Sequence, residues 1–146
     1  LSCNNKEKTS SEDKSDQKEL SQKVEYDKVS DTSYIKNGNE PTHRITHLKN
    51  ENENLILFKR IATNEKGEEN LSILDTLSIN NLDDIFYITI GYCEMENASP
   101  EEIIAIVERT EKDTIQRIVK AWKANSQSRK IENINNLNAL TCLNEF

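Results

Sequence analysis

The chain has 146 residues, 31% of them charged, a net charge of -7 and a mean hydropathy of -0.79. That length suits one domain with a core of its own. The acidic balance excludes a general nucleic-acid binder, which needs a basic footprint. The longest apolar run, Ile103–Val107, is five residues and too short to cross a bilayer as a helix.

From Ser2 to Lys23 the only aliphatic side chain is Leu20. Such a stretch cannot bury enough apolar area to offset the entropy of ordering it. Residues 1–25 are therefore expected to be a disordered tether, spanning roughly 25 Å on average. A single globular domain is expected over 26–146. Its lead-in carries Tyr26, Val29, Tyr34 and Ile35 as scattered anchors, and "NGNEP" (37–41) is turn material. "HRITHL" (43–48) and "ENLILFKRIA" (53–62) have strand character, separated from "LSILDTLSI" (71–79) by the turn "NEKGEEN". In that last segment period-2 spacing places Ile73, Leu77 and Ile79 on one face. "IFYITIGYCEM" (85–95) is the most strand-like piece, with Gly91 as a candidate bulge.

The C-terminal third supports two readings. Ser99 as N-cap, Pro100, two acids, and Ile115, Ile118, Val119 and Trp122 on one face would suit a helix. Alternatively "IIAIVERTEKDTI" is a strand entering a polar turn, and "IVKAWKANSQSRKIENI" a hairpin turning at "NSQSR". The fold class expected is mainly β, antiparallel meander and hairpins, with one C-terminal helix left open over 99–125.

The opening "LSC" resembles the end of a bacterial lipoprotein signal, in which a Leu and small residues precede the Cys that is cleaved and lipidated. Cys3 would then carry the lipid, and the polar, Asn- and Ser-rich stretch after it is what lipoproteins show. Acyl chains there would hold the domain at a membrane, each buried methylene contributing about 0.8 kcal/mol. Residues 71 to the end also resemble a small bacterial lipoprotein domain of unknown function. The matching features are "LDTLSI", a strand ending in Cys93, "EIIAIV", "IVKAWKAN…KIENI", and Cys142 followed by Asn144 and Glu145. The resemblance implies a β-hairpin at "AWKAN…KIE" and no known activity. In an exported domain an even pair, Cys93 and Cys142, suggests a disulfide; two buried free thiols are the alternative.

Chemistry is sparse. His43 and His47, four apart on a strand, would share a face but stand about 13 Å from each other, too far for one metal ion; two surface histidines are expected. Asp83-Asp84 and Glu101-Glu102 are expected on solvated turns. No nucleophile motif or phosphate loop is visible, so neither a catalytic residue nor a cofactor is expected. One stretch stands out in an acidic chain: Arg117, Lys120, Lys123, Arg129 and Lys130 with no acid among them, joined by Trp122. It could form a contact surface for an acidic envelope protein or a glycan, or a solvated strand face with Trp122 as core anchor. The function expected is a non-enzymatic binding module in the bacterial cell envelope, with a structural or assembly factor as the alternative and a hydrolase less favoured.

Overall fold

The computed structural model describes residues 25–146. All but the last residue of the tether expected over 1–25, and the lipidation expected at Cys3, lie outside the described residues. Ten strands follow in order: β1 (Asp27–Tyr34), β2 (His43–Lys49), β3 (Glu53–Thr63), β4 (Glu69–Asn80), β5 (Phe86–Ile90), β6 (Cys93–Glu94), β7 (Ile103–Glu108), β8 (Ile118–Asn125), β9 (Lys130–Asn133) and β10 (Thr141–Cys142). The architecture is mainly β, as expected, and the described residues contain no α-helix. Two antiparallel four-stranded sheets run β1-β2-β3-β4 and β5-β7-β8-β9, and β6 pairs with β10 in a separate ribbon.

The two sheets stack face to face. Ile45, Ile56, Phe58 and Ile79 from the first sheet meet Ile88, Ile90, Ile104, Ile106, Trp122 and Ala124 from the second. Burying an aliphatic or aromatic side chain of this size stabilises by roughly 1.5–3 kcal/mol. The second sheet also buries its other face. Tyr87, Ile103, Ala105, Val107 and Ala121 pack there against Ile115, Leu140 and the Cys93–Cys142 pair. Burial on both faces explains why "IIAIV" is apolar without alternation. The helical face expected from Ile115, Ile118, Val119 and Trp122 does not form: Ile115 precedes β8, and Val119 is an exposed extra residue at a bulge in that strand while Trp122 is buried. The helix-start signal is real but short. Pro100–Glu102 form one 3₁₀ turn, in which Glu102 Oε1 accepts the Ser99 N–H at 2.9 Å.

Four expectations change. The lead-in is a full strand, β1, with Val29 and Ile35 exposed and Tyr34 as its buried anchor. Ile73 is exposed, unlike Ile79. Phe58 pairs with Asp75 and Lys59 with Ile73, so Leu74 is an extra, unpaired residue. One inserted residue reverses the side-chain parity beyond it, and Leu74 packs on the core instead. Gly91 is not a bulge within one strand. At φ +95° it ends β5 and turns the chain into the β6 ribbon. Finally, His43 and His47 are not surface residues: both are buried, on the face of β2 that Ile45 shares.

The turn at "NSQSR" is confirmed between β8 and β9. Asn125 Oδ1 accepts the Gln127 and Ser128 N–H groups, and Arg129 takes φ 65°.

Candidate functional groove

The chain after β10 is stitched down along its length. Cys93 and Cys142 are bonded, with S–S 2.02 Å, directly across the β6–β10 pair. Backbone bonds join Leu143 N to Tyr92 O at 2.8 Å, Ile115 N to Cys142 O at 2.9 Å and Asn144 N to Asp113 O at 2.8 Å. The Asn144 side chain then acts as a hub. Its Nδ2 donates to Thr110 O and Lys112 O at 2.8 and 2.9 Å, and its Oδ1 accepts Tyr87 O–H and Phe146 N–H, each at 3.2 Å. These bonds fix the 110–114 loop and place Phe146 beside β5.

Arg109 lies where these pieces meet, just past the end of β7. Its backbone N–H extends the β5–β7 ladder to Ile85 O at 2.7 Å, and its Nε donates to Asp84 O at 2.6 Å. Its guanidinium lies 5.0 Å from the Tyr87 ring centre and 5.7 Å from that of Phe146. The two rings meet edge to face at 5.0 Å. Arg109 is exposed and Phe146 is 80% exposed, so each cation–π contact contributes about 0.5–1 kcal/mol toward orienting the guanidinium. Among the described residues, no carboxylate pairs with it.

Two cavities flank this group and share Tyr87, Arg109 and Phe146. One, of about 320 Å³, is completed by Thr110, Glu111 and Asn144. The other, of about 220 Å³, runs between the edges of the two sheets, past Val29, His47, Lys49 and Asn54 on one side and Asp83, Asp84, Phe86 and Glu145 on the other. Burial pushes the Glu145 carboxyl above its ordinary range. Burial, reinforced by the Glu145 charge, raises the Tyr87 phenol. Burial lowers the His47 imidazole, outweighing its 2.9 Å bond to Asn54 Oδ1.

A second polar cluster sits where β1 meets the 3₁₀ turn. His43 stacks between Tyr34 and Phe58, at 5.5 and 5.6 Å. Contrary to the expected solvated pair, Glu102 is fully buried and holds Lys36 Nζ at 3.1 Å. The signal was present: a Glu three residues after Ser99 reaches back to the cap N–H, and that draws the carboxylate inward. Burial, and then the Glu102 and Glu101 charges, raise the Tyr34 phenol far above its usual value. Its O–H has no hydrogen-bond partner among the described residues. Through Lys36 and Glu102 this cluster joins the loop after β1 to the turn before β7.

The basic stretch is divided. Lys120 lies opposite Ile106 and sits 5.5 Å from the buried Trp122 ring, and Arg117 covers Phe86 at 5.8 Å, both on the face toward the first sheet. Lys123 lies opposite Ile103, on the other face, and donates to Asn97 O at 3.3 Å. Arg129 and Lys130 belong to the hairpin turn and the start of β9. Trp122 is a core residue, 7% exposed.

Sequence reasoning did not single out the Arg109 groove. Its aromatic partners stand far from it in the chain, and Arg109 followed by Thr110 and Glu111 has the composition of an ordinary polar turn. Comparison with protein families, with curated proteins and with solved structures finds no match to this chain. Among the described residues no group of three His, Cys, Asp or Glu side chains converges on a metal-sized site. No helix there is long and apolar enough to cross a membrane.

Proposed function

We propose that the chain is a non-enzymatic binding module of a bacterial cell envelope, held at a membrane by lipid on Cys3, with the Arg109 groove as its binding site. The observation that carries the binding role is the guanidinium set against both Tyr87 and Phe146, its outer amino groups without a hydrogen-bond partner among the described residues, at the junction of two cavities. Pockets that take ligands combine aromatic walls with a few fixed polar groups in this way. The Cys93–Cys142 bond suits an oxidising compartment. The groove is favoured over the basic stretch because Lys120 and Lys123 diverge to opposite sheet faces.

Site-specific photocrosslinking in intact cells tests the binding role, with the reactive group at Thr110 on the groove or at Lys66 in the remote β3–β4 turn. A discrete adduct from Thr110 alone, lost on Arg109→Gln, is expected. No Thr110 adduct above the Lys66 background rejects the groove. The anchor is tested by intact mass of the protein extracted from its own membranes. A chain starting at Cys3 with added acyl mass supports it, and an unmodified N-terminus rejects it.

A further inference from the structure

We infer that the groove recognises a monocarboxylate joined to an apolar body, with the carboxylate on the outer nitrogens of Arg109 and the body against Tyr87 and Phe146. This rests on the binding reading above and names its ligand class.

The argument is one of elimination among chemistries. Arg109 Nε is committed to Asp84 O at 2.6 Å. Among the described residues the two Nη groups have no hydrogen-bond partner; they stand side by side in one plane, a spacing that matches the two oxygens of a carboxylate. The Nε bond to Asp84 O and the two ring contacts bias the orientation of that plane, which lowers the ordering cost for a ligand. An amine or quaternary ammonium ligand is disfavoured because beside these rings it would face the like charge of the Arg109 guanidinium. A dianion such as a phosphate monoester is disfavoured too. Glu111 lines one cavity, Asp83, Asp84 and Glu145 line the other, and Arg109 and Lys49 are the permanent cations among the lining residues. One negative charge matches one guanidinium; a second would face the acids. The 320 Å³ cavity falls in the size range of small-molecule sites, and its two aromatic side chains supply apolar wall.

Such a ligand could be the C-terminal residue of a peptide or a free short-chain fatty acid. The full chain is titrated with N-acetyl-phenylalaninate, with hexanoate, and with the corresponding amides, following binding by calorimetry. At least one acid is expected to bind saturably, and to bind about tenfold or more tighter than its amide, a neutral isostere. Preference for the first acid indicates a peptide end; preference for the second indicates a fatty acid. Arg109→Gln is expected to lose at least about tenfold for the acid and little for the amide, and Arg109→Lys, which keeps the charge without the fork, to fall between. Glu111→Gln, a change at an exposed side chain, is expected to tighten acid binding about two- to threefold by removing a like charge. Far-UV circular dichroism shows whether each variant is folded.

Equal affinity for acid and amide, an unaltered acid affinity in Arg109→Gln, or no saturation with either acid by about 10 mM overturns the inference. If the Thr110 crosslink persists in that event, the binding reading stands and only the ligand class falls. If both fail, the groove is not a binding site.

Discussion

Lys36 spans 66 residues of sequence to place its Nζ 3.1 Å from Glu102, whose side chain is wholly buried while that of Lys36 is a third exposed. The pair ties the loop after β1 to the turn before β7, one end of each sheet. Its two halves are unequal. Lys36→Met leaves a buried carboxylate with the Ser99 N–H as its remaining partner and is expected to cost about 3 kcal/mol. Glu102→Gln removes the buried charge and frees Lys36 toward water, and is expected to cost about 1 kcal/mol. Urea unfolding of both variants checks the order. A larger loss in Glu102→Gln would contradict it.

The disulfide closes a separation of 49 residues. The chain-entropy estimate for a loop of that size is about 4 kcal/mol. Replacing Cys93 and Cys142 together by Ala should lower stability by that order, since the sulfurs sit in an apolar cluster that Ala can still join. A second effect is more specific. β10 carries Asn144 and Phe146 to the groove, so limited proteolysis after residue 134 should speed up well before the sandwich unfolds. Cleavage in that segment at the wild-type rate would show that the backbone bonds suffice without the bridge.

The Leu74 bulge is tested by two isoleucines on β4. Ile73 is 60% exposed and Ile79 is 8% exposed. Ile79→Ala is expected to cost about 2–4 kcal/mol, and Ile73→Ala to stay within about 0.5 kcal/mol. Thermal melts of the pair decide it; equal losses would mean that the parity does not reverse.

His43 and His47 set the mildly acidic part of the stability curve. Burial, and then the nearby Arg60, lower His43, with Lys36 acting the same way and Glu102 opposing. Burial lowers His47, with Lys49 adding to it and Asn54 opposing. The unfolded chain thus takes up protons at these sites near pH 6.5 while the folded chain resists. Stability is full above that pH and falls as the pH drops through it. Glu145 has the opposite sign, its raised pKa adding stability only at lower pH. Denaturant midpoints should therefore decline from pH 7.5 to about 5.5, the range just below the unfolded histidine value. The decline should be shallower in His47→Gln. An unchanged slope in that variant would remove His47 from the account.

Trp122 was a candidate contact residue and is a core residue. Trp122→Ala should cost about 3–5 kcal/mol, while Lys123→Glu, on a partly exposed side chain, should shift stability by about 0.5 kcal/mol or less. Tryptophan fluorescence supplies a further check: a blue-shifted native emission that reddens on unfolding is expected, and an already red native emission would place the indole in water.

Much of this fold is local and was legible. β3 is visible as an apolar run and β2 as a short segment of strand character, the β8–β9 hairpin as two runs around "NSQSR", and the disulfide as an even pair in a chain that reads as exported. Turn chemistry at Asn125 and strand propensity at "IFYITI" act over a few residues, so they survive in the sequence. β1 was missed because its inward side chains before Tyr34 are small and polar, Ser30 and Thr32 among them, and its pairing with β2 comes from backbone bonds that leave no composition signal.

The candidate site was not legible, for a reason of distance. Arg109 is 22 residues from Tyr87 and 37 from Phe146, and no periodicity links residues brought together by a β5–β7 pairing and a disulfide-tethered return strand. The sequence by itself determined the β character, the hairpin turns and the cysteines that could pair, because these depend on side chains adjacent along the chain. The tertiary structure alone decided which face each strand presents beyond the Leu74 bulge, that Glu102 and both histidines are buried, and that one arginine lies against two rings. Those outcomes depend on which sheet packs over which side chain, and that packing is a property of the whole chain.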